Sequence, residues 1–323
     1  MRIIYLGTPE FAVPTLEKLI SWDGAEVVGL VTQPDRPAGR GNKVIPPPTK
    51  VVAEKHGIPV LQPEKLSKSP DVVQSMRDMQ PDVLVMVAFG QILKKEVLTM
   101  APMGVVNLHG SVLPALRGAA PINWSIINGD KTAGITTMFS EAGVDTGPML
   151  LKHEVQLGQD TTAEELAHEL SIIGADLVLE TLKQLQAGTL QGTPQDDSLA
   201  TMAPRLDKEL GRIDWSQAAR KIHNLVRGLV PWPGTFTTFR GDVLKIHKTA
   251  RVNAKRPPGA AVGELFQDGG NIFVACGPNA DDAIQLIEVQ PPNKARMSAR
   301  DWMNGAHVTV GERLGVDIAK PVS

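Results

Sequence analysis

The sequence predicts an α/β protein: a doubly wound, mostly parallel sheet followed by a second, smaller β-barrel domain. Three observations carry that expectation. Apolar runs at residues 3–6, 26–32, 83–87, 105–109 and 135–139 alternate with amphipathic stretches, and several runs are apolar throughout, as parallel strands covered on both faces require. The chain has 323 residues, beyond the length at which one core keeps growing, so two domains are expected. After residue 205 the pattern changes to short β-type segments separated by Gly, Asp, Asn and Pro, which suggests a small open barrel.

Each element has a local reason. Residues 3–6 form a first strand that is too short for a secretory signal and runs directly into Gly7-Thr8-Pro9. A helix over 9–20 and a strand over 26–32 follow. The loop 33–50 carries Arg36, Arg40, Lys43 and Lys50 against Asp35 alone, and its prolines limit its wandering, so a basic side chain can be offered to phosphate at modest ordering cost. After the strand at 83–87 comes 105–109, where side chains alternate, so Asn107 and His109 share one face while Leu108 takes the other. An amide donor and an imidazole then share one cleft at a strand end, an arrangement suited to acyl transfer. The turn 110–114 stops the strand, and Pro121 fits the first turn of a new helix.

A further strand is expected over 135–139. The long helix at 162–187 has Thr162 and Glu165 at capping-box spacing, apolar Leu166, Leu170, Ile173 and Leu177, and Gly188 as its stop. Residues 188–204 are polar and aperiodic, which reads as a linker. The expected division is a catalytic domain over 1–189, a linker over 190–206 and a C-terminal domain over 207–323. That last part opens with Asp214 as N-cap of a helix over 215–227, stopped by Gly228, Pro231, Pro233 and Gly234. Strands over 235–239, 243–247, 261–266, 271–275 and 284–289 complete it.

Composition excludes several classes. Hydrophobic residues at 42%, charged residues at 21% and a net charge of −2 belong to an ordered globular protein and not to a disordered one. The lone Cys276 excludes an internal disulfide and a cysteine-cluster metal site, and a buried small hydrophobe is its expected role. No apolar run approaches the roughly 18 residues of a membrane helix, so a cytoplasmic protein without membrane contact is expected. Charge is uneven: residues 1–207 carry 17 Lys and Arg against 24 Asp and Glu, and residues 208–323 carry 16 against 11. A basic C-terminal part points toward nucleic acid, with Lys208, Arg220, Lys221, Arg227, Lys245 and Lys248 as candidate phosphate contacts taken as a patch.

Six separated motifs then occur in one order: 6–12 (Leu-Gly-Thr-Pro-Glu-Phe-Ala), 32–41 (Thr-Gln-Pro-Asp-Arg-Pro-Ala-Gly-Arg-Gly), 107–111 (Asn-Leu-His-Gly-Ser), 117–121 (Arg-Gly-Ala-Ala-Pro), 143–147 (Gly-Val-Asp-Thr-Gly) and 227–234 (Arg-Gly-Leu-Val-Pro-Trp-Pro-Gly). With them the chain resembles the methionyl-tRNA formyltransferase family over nearly its full length. The resemblance implies a Rossmann-like formyltransferase domain joined to an OB-like β-barrel domain. It also implies transfer of the formyl group of 10-formyltetrahydrofolate to the α-amino group of methionine on charged initiator tRNA, for translation initiation. The family's catalytic Asn, His and Asp fall on Asn107, His109 and Asp145.

Chemistry explains that trio. Attack by a neutral amine on the formyl carbon turns the carbonyl oxygen into an oxyanion, which donors fixed around it stabilise. Asn107 supplies an amide N–H, and His109 supplies a second donor when protonated, supported by the charge of Asp145. Asp145, directly or through a water, accepts the proton that the amine must lose. By the same resemblance the folate lies along Ser111, Val112, Leu113 and Pro114 and near Phe89, Gly90, Gln91 and Ile92, with residues 141–144 completing the wall. Arg36, Arg40 and Lys43 are the expected tRNA contacts, Arg40 reaching the acceptor end. No metal is expected, and the chain is expected to act as a monomer.

Between Pro114 and Arg117 the family often has a basic and an aromatic residue, where this chain has Ala115 and Leu116. Likewise Met202 and Leu210 stand where aromatic and acidic residues are frequent. A single Gly7 after the first strand, without G-x-G-x-x-G, disfavours nicotinamide binding. The alternatives that stay open are a sugar-nucleotide formyltransferase, a formyltetrahydrofolate hydrolase and, outside enzymes, an RNA-binding protein.

Overall fold

A computed structural model describes residues 1–38 and 43–316, and the chain divides into two compact units. The N-terminal unit comprises Met1–Pro121, Thr132–Gln156 and Leu166–Pro204. Its strands are β1 (Arg2–Gly7), β2 (Glu26–Val31), β3 (Val60–Leu61), β4 (Val83–Val87), β5 (Val105–His109), β6 (Thr132–Phe139) and β7 (Met149–Gln156). They form one seven-stranded sheet in the order β7-β6-β5-β4-β1-β2-β3. From β3 to β5 every pairing is parallel, whereas β6 runs antiparallel to both β5 and β7. Hence the sheet is mostly parallel, as expected, and β7 is a strand the sequence pattern did not reveal. Its central residues 152–154 are exposed and polar, so they show no apolar run.

Apolar strands and helices explain one another here. The helices are α1 (Val13–Ile20), α2 (Pro48–Lys55), α3 (Pro70–Asp78), α4 (Lys95–Leu98), α5 (Pro121–Asn128), α6 (Ala163–Gln186), α7 (Ala219–Gly228) and α8 (Ala299–Gly305). Ile4, Leu6, Val28, Val31 and Leu84 of the sheet pack with Val73 and Met76 of α3 in one buried cluster, a burial that supplies the main driving force for this layer. On β5, Leu108 meets α6, where a Cβ on Gly174 would lie 2.6 Å from Leu108 Cδ2 and 2.8 Å from Ile135 Cδ1. Glycine there lets the helix approach the sheet closely. The capping box at the start of α6 forms as predicted, with Thr162 N–H donating to Glu165 (2.9 Å) and Glu165 N–H to Thr162 Oγ1 (3.2 Å).

The segment expected as a linker behaves otherwise. Met202–Ala203 pairs in parallel with Arg117–Gly118, and Thr193 exchanges backbone hydrogen bonds with Met149. Residues up to Pro204 therefore belong to the N-terminal unit. Aperiodic polarity marked a segment that satisfies its backbone groups against neighbouring edges, one of the ways such groups are paired away from regular structure.

The C-terminal unit comprises Ile122–Lys131, Leu157–Glu165 and Arg205–Ser323, so it draws in two pieces from before the expected boundary. Its described strands β8 (Thr235–Phe239), β9 (Asp242–Ala250), β10 (Leu265–Asp268), β11 (Asn271–Cys276), β12 (Asp282–Gln290) and β13 (Met297–Ser298) form an antiparallel sheet in the order β8-β9-β12-β11-β10, with β13 on β12. Ile222 and Val226 of α7, Trp302 of α8 and Leu244, Ile246, Val274, Ile284 and Leu286 of the sheet share a core. The helix expected from residue 215 begins only at Ala219. Asp214 folds back on Ser216 (N–H to Oδ1 2.9 Å), and the first N–H of α7 is taken instead by Asp282 Oδ2 at 2.8 Å. Trp215 is buried and donates from Nε1 to Thr237 Oγ1 at 2.9 Å.

Candidate active site

Asn107 and His109 occupy the end of β5, one strand away from the point between β4 and β1 where the strand order reverses. Period two sends both to the face opposite Leu108 and α6, and both are buried. Across the ladder Asn107 lies beside Met86 on β4 and Met138 on β6, and His109 lies beside Thr136. Their backbone positions are thus set by sheet pairing and not by the loops.

The loop 140–148 brings Asp145 to this face. Its Oδ1 lies 3.5 Å from Asn107 Nδ2, its Oδ2 lies 3.5 Å from His109 Nδ1, and Oδ2 accepts from Gly118 N–H at 2.9 Å. The carboxylate remains 18% exposed, so a substrate proton has a path to it. His109 Nε2 lies 2.9 Å from the Leu116 carbonyl. Because a carbonyl only accepts, Nε2 carries the proton and Nδ1 faces the carboxylate. A second ring proton would complete an ion pair with Asp145.

The turn after β5 is anchored by β6. Thr136 Oγ1 donates to Ser111 C=O (2.7 Å) and accepts from Leu113 N–H (3.1 Å), while Ser111 Oγ donates to Ala115 C=O (2.6 Å). Ser111 and Leu113 are buried, Val112 and Pro114 partly so. Beyond β4, Phe89 turns inward and joins the buried cluster of β1 and β4, so its side chain packs the core and does not line the cleft. Gly90 has φ +76°. The Gln91 amide oxygen accepts from Leu66 N–H at 2.7 Å. Ile92 stands 79% exposed and Val144 51% exposed. Two large apolar side chains are thus left in water, one on the loop after β4 and one on the loop that carries Asp145.

Within the basic loop, Arg36–Ala38 pairs antiparallel with Lys43–Ile45. Arg36 is exposed and pairs with Glu64 at 3.2 Å, and Lys43 stands on the backbone of the second strand. Arg40 lies outside the described residues. Lys50 is no phosphate donor: it is largely buried and held by Asp35 at 2.8 Å, which also accepts from Gln62. Hydrogen bonds from Gln62 and Lys50 hold the Asp35 carboxyl below its usual value. Arg227 also departs from expectation. It is buried and donates to the carbonyls of Gly158 (3.2 Å) and Thr161 (2.8 Å) and to Asn224 Oδ1 (3.0 Å), so it secures residues 157–165 to α7. A guanidinium with five donors suits such a cluster of carbonyls. Lys208, Arg220, Lys221, Lys245 and Lys248 are exposed.

Three residues of this site escaped the sequence pattern: Thr136, which holds the turn, Gly118, whose N–H holds the carboxylate, and Gln195. Gly118 has φ +120°, and a Cβ there would meet the Ala203 carbonyl oxygen at 2.7 Å. Its glycine inside the 117–121 motif was the available signal. Gln195 sits in the aperiodic segment and had none. Among the described residues no group of three or more His, Cys, Asp or Glu is placed to hold a metal ion, and no helix is long and apolar enough to cross a membrane.

Two family models cover most of the chain. The formyl transferase model matches residues 1–182, and the formyl transferase C-terminal domain model matches residues 205–307. The chain is 48% identical over 316 residues to the methionyl-tRNA formyltransferase of Ruminiclostridium cellulolyticum, covering 98% of this chain and 100% of that protein. It is 49% identical over 317 residues to that of Geobacter metallireducens, covering 98% and 99%. Among solved structures, an N-formyltransferase from Helicobacter canadensis in complex with folinic acid and dTDP-3-aminofucose superposes with a TM-score of 0.65 at 16% identity, covering 90% of this chain and 98% of that one. HypX from Aquifex aeolicus in complex with tetrahydrofolic acid gives 0.61 at 16% identity, covering 100% and 50%. At such identity these two share the fold.

Proposed function

The chain belongs to the methionyl-tRNA formyltransferase family, and on that premise we propose that Asn107, His109 and Asp145 carry transfer of a formyl group from 10-formyltetrahydrofolate to the methionine amine of charged initiator tRNA. The observation that carries the reading is the convergence of two motifs. A carboxylate from the 143–147 motif lies 3.5 Å from both an amide and an imidazole of the 107–111 motif. When bound, the folate supplies the electrophilic formyl carbon. Holding that carbon, steadying the charge on its oxygen and taking up the amine proton fall to this protein.

Asn107, rigid on a central strand, offers an amide N–H to the oxygen that gains charge. His109 contributes differently from the sequence expectation. Its Nε2–H is committed to Leu116, so a protonated ring acts as a fixed positive charge beside the reacting oxygen, with Nδ1–H toward Asp145, and not as a second aimed donor. Asp145 takes the proton from the attacking amine, directly or through a water, as the new bond to the formyl carbon forms, and the folate nitrogen takes up a proton as its own bond to that carbon breaks. The backbone of 111–114 and 89–92, with exposed Ile92 and Val144, is the proposed folate cradle. Arg36, Arg40 and Lys43 are proposed for the tRNA acceptor arm, with the exposed lysines and Arg220 of the C-terminal unit as a diffuse phosphate patch.

The deciding experiment offers the protein 10-formyltetrahydrofolate together with charged initiator tRNA and, separately, a sugar-nucleotide amine. Formylmethionyl-tRNA is the expected product. Formylation of the sugar amine alone, or release of formate with no formylated amine, overturns the substrate assignment.

A further inference from the structure

Asp145 is a non-glycine residue in the left-handed region, with φ +53°. Asp tolerates that region better than most residues but is still disfavoured there, so something must hold it. The side chain of Gln195 meets it 50 residues further along the chain: Nε2 donates to the carbonyls of Asp145 and Gly147, both at 2.8 Å. On its other side Oε1 accepts from Arg117 Nε (3.0 Å) and Nη2 (2.8 Å). Arg117 in turn is buried and its Nη2 donates to Asp197 at 2.8 Å.

This arrangement closes a ring. Gln195 grips the backbone of Asp145, the Asp145 carboxylate accepts from Gly118 N–H, and Gly118 follows Arg117, which grips Gln195. Only one orientation of the amide satisfies it, since two carbonyls need donors and a guanidinium needs an acceptor. Both N–H groups and both oxygen lone pairs of the amide are thereby used. Leu116, whose carbonyl holds His109, is the residue before Arg117, so the same ring steadies both His109 and Asp145.

We infer that Gln195 is the positioning residue of Asp145: it holds the loop 143–147 in the left-handed turn that aims the carboxylate at Asn107 and His109. Without its two N–H donors the carbonyls of 145 and 147 turn to water and the residue relaxes toward right-handed backbone, which swings the Cα–Cβ bond away from the strand end. Gly118 still holds one carboxylate oxygen, so the loss is partial. The inference rests on the proposed role of Asp145 and adds a residue from the segment that sequence reads as a linker.

The test compares Gln195→Glu, Gln195→Ala, Asp145→Asn and the Gln195→Glu/Asp145→Asn pair in formylation of charged initiator tRNA. Gln195→Glu keeps the side-chain length and the acceptor for Arg117, so the fold is retained, which a melting curve checks, while both donors to the loop are lost. Its kcat should fall by about tenfold to a hundredfold, the scale of a misplaced reacting group. KM for tRNA and folate should stay within about twofold, because a transition-state contact and not ground-state binding is lost. In the Asp145→Asn background the same change should cost less than about twofold, since residues acting through one group are non-additive. Gln195→Ala, if folded, should match Gln195→Glu or exceed it. Parental kcat in folded Gln195→Glu, or an equal loss in the Asp145→Asn background, overturns the inference and leaves Asp145 standing. Parental kcat in Asp145→Asn overturns the role of Asp145 itself.

Discussion

Replacing Asn107 by Ala separates transition-state stabilisation from fold more cleanly than any other change at this site. Its backbone pairs with Met86 and Met138 whatever the side chain, so the sheet is kept. The hydrogen bond lost is the 3.5 Å contact to Asp145, at the limit of useful length, and the folded state should lose only about 1 kcal/mol or less from it. An aimed oxyanion donor is worth about 2.7–4 kcal/mol at the transition state, a hundredfold to a thousandfold in kcat. Activity should therefore fall several times further than stability, with folate binding largely kept. Asn107→Asp should be worse, because it sets a second carboxylate 3.5 Å from Asp145. At an effective dielectric near 20 that repulsion is about 5 kcal/mol, partly relieved if one carboxyl stays protonated. Single-turnover formylation, a folate-binding titration and urea unfolding measure the three quantities. If Asn107→Ala keeps kcat within about threefold of the parent, or loses stability in proportion to activity, the oxyanion role is refuted.

Three other perturbations probe separate parts of the molecule. Arg40→Ala should impair formylation of charged tRNA far more than hydrolysis of formylated folate, and should reduce the logarithmic salt slope of tRNA affinity by up to about one unit; equal loss of both activities would place Arg40 in the folate cleft instead. Arg227→Met leaves one buried and two part-buried acceptors without their donor and should cost about 1–3 kcal/mol of stability, read as a lowered melting temperature with the tRNA salt slope unchanged. A reduced slope at parental stability would restore Arg227 as a phosphate contact. Hydrogen bonds from Arg240, with further ones from Thr309, hold the Glu312 carboxyl down at about 2 against 4.5 for the free group. A depressed carboxylate contributes stability above its unfolded value and loses it as pH falls toward the folded one. Acid unfolding of the parent should therefore steepen between about 4.5 and about 2, and Glu312→Gln should flatten that window; superimposable acid curves would show that this ion pair adds nothing.

Much of the architecture was legible because its signals are short-range. Thr162 and Glu165 stand three residues apart and form their capping box as read. The shared face of Asn107 and His109 follows from strand parity, and the apolar runs of β1, β2, β4 and β5 follow from burial on both faces. Where a neighbour distant in sequence replaces a local partner, the local reading failed. Asp214 has the residue type of an N-cap, yet α7 begins only at Ala219, and Asp282 takes its first N–H from 63 residues away. Arg227 read as a surface cation because nothing near it in sequence reveals the carbonyls of Gly158 and Thr161.

By itself the sequence determined which residues face one another within an element, which segments must be buried, and which side chains are candidates for formyl transfer. Parity, helical period, capping and residue type are properties of separations of a few residues, where the backbone geometry is already known. Tertiary structure alone decided how Asp145 reaches Asn107 across 38 residues, how Gln195 closes on it from a segment without periodicity, and how Phe89 turns into the core while Ile92 stays in water. Those contacts depend on where loops close and on which buried donor must find an acceptor, and loop closure is governed by the packing of the whole unit and leaves no local period to read.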